Sequence, residues 1–133
     1  MMRSRAKRPV AALYTAALVG CVVAAAAVAA PAGWKLGGNP ARGQASFAKR
    51  CALCHGEKGD AKSQAAQNLT PRPADLTDPK VMAKRSDWDL YRVVKDGGPA
   101  IGLSSTMMGW EQVMPDAEIR DVTAYVRGLS RKK

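Results

Sequence analysis

Cys51-Ala52-Leu53-Cys54-His55 constrains this chain more than any other stretch. Two thiols stand two residues apart, and the only histidine among 133 residues follows at once. That order is the signature of a c-type haem attachment site. Each sulfur adds to one haem vinyl group, so the pair has to straddle the porphyrin edge. His55 is then held beneath the iron and supplies an axial nitrogen. A structural zinc site needs four ligands, yet the only other cysteine is Cys21, inside an apolar N-terminal run, and no second histidine exists. A thioredoxin-like dithiol needs a βαβ setting, and no strand-rich stretch flanks the motif. The expected cofactor is therefore one haem c, bound covalently through Cys51 and Cys54.

The first thirty residues read as a targeting segment. Arg3, Arg5, Lys7 and Arg8 form a basic start, and Val10 to Ala30 follows without a charge. Residues 1–30 are thus a signal peptide or an N-terminal membrane anchor. Ala27-Val28-Ala29 has the small-x-small form of a cleavage site. The run is also long enough to span a bilayer as a retained helix. Leu18-Val19-Gly20-Cys21 has the form of a lipoprotein processing site, although Val22-Val23-Ala24 is not the polar tether such a cysteine needs. All three fates put the remaining chain on the outer side of the cytoplasmic membrane, in the periplasm, soluble or anchored through residues 10–30. The basic start keeps the N-terminus cytoplasmic if the anchor persists.

These thirty residues hold four basic side chains and no acidic one. The rest keeps 17 of the 21 Lys+Arg against 11 Asp+Glu, or +6. Such a balance fits redox partner proteins with acidic docking surfaces and faster association at low salt. It equally fits an ordinary solvated surface. Nucleic acid is not expected, because the compartment is wrong and no basic helix stands out.

Residues 31–39 read as a Gly/Pro linker, with Trp34 either at a membrane interface or laid over the domain. Residues 40–133 form the domain. Asn39 and Pro40 open a helix that runs into Cys51, with Gly43, Phe47 and Ala48 on one face. Gly56 to Lys80 reads as a long polar connection able to wrap the haem. Ser86 caps a helix from about Asp87 to Asp96, closed by Gly97-Gly98. A last helix starts near Asp116 and carries the stripe Ile119, Val122, Tyr125, Val126 and Leu129. No strand is expected. About ninety residues with one Phe make a thin core, so a covalent apolar plate would serve as its staple.

With His55 spent, methionine is the next natural iron ligand. Met82, Met107, Met108 and Met114 are available, and most methionines are core filler. Met107 and Met108 differ because they follow the irregular segment Gly102-Leu103-Ser104-Ser105-Thr106, which can bend round a haem edge.

These features together resemble a class I c-type cytochrome of the small bacterial periplasmic or membrane-anchored kind. The motif comes early, after an N-terminal helix. A loop, a middle helix ending in Gly97-Gly98-Pro99-Ala100, a methionine loop and a C-terminal helix follow. The resemblance implies an all-α cytochrome c fold of three main short helices around one haem. The family's ligand loop often reads Met-Pro-x-aromatic. With Trp110 as the aromatic, the methionine falls on Met107, and Met108 takes the proline's place. Met108 is then the alternative ligand, one residue out of register. The resemblance also implies that Gly43 and Phe47 on the first helix pack against Tyr125 on the last. A proline carbonyl, Pro71 or Pro73, would accept the proton on the far nitrogen of His55.

His/Met ligation leaves no open iron position and suits single-electron transfer. The expected role is an electron-transfer protein rather than an enzyme, as carrier or as subunit of a respiratory or dehydrogenase complex. The alternatives are a five-coordinate haem c protein acting as a peroxidase-like enzyme or gas sensor, and a structural or targeting subunit wired by its haem.

Overall fold

The computed structural model describes residues 28–131. Most of the expected targeting segment, Cys21 included, and the tail residues Lys132 and Lys133 lie outside the described residues. Among those described, the chain is all-α. It holds α1 (Pro40–Arg50), α2 (Ala52–His55), α3 (Gln64–Asn68), α4 (Pro79–Met82), α5 (Asp87–Asp96), a 3₁₀ turn over Gly98–Ile101, and α6 (Asp116–Leu129). None of these helices is long and apolar enough to cross a membrane.

Local chemistry sets the helix starts. The Asn39 side chain accepts from the N–H groups of Ala41 and Arg42, and Pro40 occupies the first turn, where a missing N–H costs nothing. Ser86 and Asp89 form a reciprocal capping box at the head of α5. The stretch expected as an open connection, 56–80, contains α3 and the start of α4. Ser63 caps the first and Asp78 the second, with Pro79 in its first turn. These short helices follow from local caps that a search for long periodic runs passes over.

α1 and α6 cross in the centre of the molecule. Gly43 makes the crossing close: a Cβ there would fall on the Asp121 carbonyl and the Val122 backbone. Phe47, one turn on, lies 5.3 Å from Tyr125 between ring centroids. The stripe Ile119, Val122, Tyr125, Val126 and Leu129 is buried as expected, and Leu90, Tyr91 and Val94 of α5 close the core with Met82 and Met114. Ala48 is exposed instead of sharing the buried face.

Polar ties hold the crossing in register. The Asp121 carboxylate, only 5% exposed, accepts from the Asn39 N–H at the head of α1 and from the Arg42 guanidinium. Ser46 donates to Glu118 at 2.8 Å. At the far end of α6, Arg127 bonds the Asp87 carboxylate and the carbonyls of Met82 and Arg85. It thereby ties α6 to the end of α4 and to the turn that follows it.

Trp34 covers the domain. Its ring meets Trp88 edge-on at 4.9 Å and Tyr91 at 5.4 Å. The Arg120 guanidinium lies over both Trp34 and Tyr91, donates to the carbonyls of Lys35 and Leu36, and pairs with Asp116.

The Asp121 tie gives a pH signature. Hydrogen bonding from Arg42 holds the carboxyl below its ordinary pKa, against the opposing effect of burial. Its contribution to stability is complete above the ordinary carboxylate range and drains away as pH falls through the lowered folded-state value. Asp121→Asn should cost about 1–2 kcal/mol at neutral pH. It should also flatten the acid limb of the denaturation profile. Parallel wild-type and variant acid limbs in urea titrations at several pH values would contradict this.

Candidate functional site

α1 ends at Arg50, and the chain turns at once into α2. Cys51 N–H bonds Phe47 O at 2.8 Å, and His55 N–H bonds Cys51 O at 2.9 Å. Cys51, Cys54 and His55 thus stand at i, i+3 and i+4 of one helical turn, a spacing that places side chains on one face. Both cysteines are free thiols and partly buried. The turn is fixed from behind: Ser63 Oγ donates to the Cys54 carbonyl at 3.1 Å, and Ala61 N–H to the His55 carbonyl at 2.8 Å.

Burial dominates the electrostatics. It pushes the Cys51 thiol up to about 11, with the Arg50 charge pulling the other way and Cys54 adding to the rise. Cys51 is therefore a neutral thiol at physiological pH, unlike the thiolates of redox dithiols. Burial also lowers the His55 pKa, opposed by the backbone of Ala74. The imidazole is neutral near pH 7 and keeps a lone pair for a metal.

Neither proline named in the sequence serves the imidazole, a correction to the expectation for Pro71 or Pro73. Ala74 supplies the backbone group that interacts with the ring. The reason is the register of the loop, pinned by Leu76 N–H to Gly59 O at 2.8 Å, which brings the residue after Pro73 to His55. His55 Nδ1 is buried without a group in good hydrogen-bond geometry.

The methionine loop is held on another part of the scaffold, against the C-terminal end of α5. Gly98 N–H donates to Met107 O at 2.8 Å, and Leu103 N–H to Gly98 O at 2.8 Å. Trp110 N–H reaches the carbonyls of Val94 and Lys95 at 3.0 Å each, and Glu111 accepts from Lys95 Nζ at 2.7 Å. A Cβ on Gly98 would fall on the Ser104 carbonyl. The loop is thus closed at its neck by backbone contacts. Its four methionine candidates separate cleanly. Met82 and Met114 are core residues at 2% and 3% exposure, Met108 is 63% exposed, and Met107 lies between.

The donor set fits a covalently attached haem: two free thiols and a neutral, half-buried imidazole share one turn, with a buried ring nitrogen left over. It does not fit a bare ion. Among the described residues, no three His, Cys, Asp or Glu side chains converge where a metal ion could sit. Ala74 and the neck of the methionine loop were missed from sequence. Only the glycine pair 97–98 signalled the second.

Residues 38–126 match the family described as cytochrome C oxidase, cbb3-type, subunit III. Among solved structures the chain is similar to the KustC0563 c-type cytochrome, with a TM-score of 0.52 and 24% identity over 65% of this chain and 95% of that one. It is also similar to a chain of the Kuenenia stuttgartiensis reducing HAO-like protein complex Kustc0457/Kustc0458, with a TM-score of 0.52 and 20% identity. That match covers 71% of this chain and 44% of the other. At such identities the likeness speaks for the fold alone. No curated protein matches.

The loop neck is open to test. Gly98→Ala should force the 98–109 backbone off α5 and cost about 1–3 kcal/mol. Faster amide exchange confined to that loop should accompany the loss. An unchanged melting temperature with unchanged exchange would show that the neck is not tight.

Proposed function

The chain belongs to the family of cytochrome c oxidase, cbb3-type, subunit III, and we propose on that footing that it is a mono-haem electron-transfer protein. It would pass single electrons between redox partners on the outer side of the cytoplasmic membrane, as a carrier or as a subunit of a respiratory or dehydrogenase complex. The observation that carries this reading is the turn Cys51–His55, with both thiols free, Cys51 held neutral by burial, and the imidazole half-buried on the same helical face.

A c-type domain carries a covalently bound haem c, whose iron supplies one-electron redox chemistry. In this chain Cys51 and Cys54 would hold it, and His55 would supply one axial nitrogen. Met107 is the proposed second ligand, because Met82 and Met114 are committed to the core and Met108 faces solvent. A thioether in that place suits electron transfer, since it leaves no vacancy for a substrate. The residues do the remaining work. They keep the imidazole neutral, exclude water from the α1–α6 side and fix the ligand loop by its backbone. The excess of basic residues favours partners with acidic docking surfaces.

Denatured protein should retain its haem through acid–acetone extraction and carry the mass of one haem. Cys51→Ala or Cys54→Ala should abolish most holoprotein. Extractable haem in the wild type would sink the reading.

Met107→Ala should remove the long-wavelength band of methionine–ferric bonding and open the iron to cyanide. Met108→Ala should spare the band. The reverse pattern would move the ligand by one residue.

A further inference from the structure

Arg50 occupies a place that the electron-transfer reading leaves unused. It is the last residue of α1, covalently next to Cys51. Its Nε lies 3.3 Å from Glu118 Oε1 on α6, and its Cζ lies 5.9 Å from the centroid of the Trp110 ring. Trp110 stands three residues after Met107 and is pinned by its N–H to the carbonyls of Val94 and Lys95. One guanidinium therefore touches α6 and the anchor of the methionine loop while standing beside the cysteine turn. The pair is half-buried, at 33% side-chain exposure for Arg50 and 27% for Glu118. Glu118 is itself fixed by Ser46 Oγ at 2.8 Å. Charges partly desolvated and tied by neighbouring groups act on their surroundings more strongly than fully solvated ones.

We propose that Arg50 and Glu118 are positioning residues that tune the reduction potential of the haem by their paired, opposite charges. This rests on the haem c reading above. An electron added to the iron is favoured by a nearby positive charge and opposed by a negative one. The two residues therefore work against each other, and removing either unmasks its partner. Trp110 keeps the guanidinium over the loop, since a flat cation stacks on an indole face.

The test is a spectroelectrochemical titration of the holoprotein, comparing wild type with Arg50→Gln, Glu118→Gln and Arg50→Lys. Arg50→Gln should lower the potential and Glu118→Gln should raise it. Each should change the oxidised-to-reduced ratio at fixed ambient potential by about threefold or more. Arg50→Lys keeps the charge but not the flat stack on Trp110, so it should shift the potential in the same direction as Arg50→Gln and by far less. A merely structural pair would move both neutral variants in the same direction, and that result, or no shift in either, overturns the proposal. If Arg50→Gln does not accumulate as holoprotein, a rise in Glu118→Gln larger than the shift in Arg50→Lys and opposite to it supports the proposal, and any other pattern overturns it. A wild type without a reversible couple would end the haem reading and this pairing with it, and it would be seen before any substitution is made.

Discussion

The close crossing of α1 over α6 is the contact on which the rest of the structure depends. Gly43 has no side chain, so the α1 backbone comes down onto the backbone at Asp121 and Val122. No other residue fits between two helices at that separation. The approach brings Phe47 onto Tyr125 and puts the Asp121 carboxylate within reach of the head of α1. It also fixes the direction in which α1 delivers the chain at Arg50. The Cys51–His55 turn begins there, so the helix crossing sets where it starts, and Ser63 and Ala61 of the following loop hold it in place. A core with one phenylalanine among the described residues relies on such backbone contacts because it has few large side chains to offer.

The two candidate axial ligands are positioned by different means. His55 lies on a helical turn continuous with α1, and its register follows from backbone hydrogen bonds within that turn. Met107 lies in irregular chain that has no helix to fix it. Its place is set by Gly98, which receives the folded-back loop and donates to the Met107 carbonyl. A loop pinned by its own backbone at the neck can hold one side chain while leaving its neighbour, Met108, in solvent. Loop closure comes from the neck and from Trp110, whose N–H meets the Val94 and Lys95 carbonyls, so it needs no proline at position 108.

Much of this was legible in the sequence where the signal is local. Asn39-Pro40 and Ser86 named the starts of α1 and α5 because capping is chemistry within four residues. The stripe on α6 named its buried face because the helical period needs no tertiary information. The packing of Phe47 on Tyr125 came from family resemblance and is present, while Gly43 meets the backbone of Asp121 and Val122 rather than Tyr125. What escaped depends on distance along the chain. Asp121 reads as one more acid in α6, and its partner Arg42 is 79 residues away. Neither expected proline meets the His55 ring nitrogen, in a loop whose register is tied by the hydrogen bond between Leu76 and Gly59. The helices α3 and α4 are too short for any periodicity to show.

The segment before α1 makes the same point from the other side. Its glycines and prolines describe a linker, and composition alone gives no reason for it to pack. Yet Trp34 brings a large apolar surface next to Trp88 and Tyr91, and burying an aromatic there outweighs the entropy of ordering a few glycines. Arg120 completes the seal. It stacks on Trp34, bonds two carbonyls of the strap and pairs with Asp116, whose other partner is the Tyr91 hydroxyl. The Trp88 indole N–H reaches the Val28 carbonyl at 2.9 Å. A stretch tied by one cation, three aromatic rings and main-chain carbonyls does not behave as a free tether. It meets the domain at a defined place beside the head of α5, and α6 contributes to that contact through the same face that carries Asp116 and Arg120. The covering of the core at this end is therefore built in part from Trp34 and the backbone of Lys35 and Leu36, residues whose composition is that of a linker.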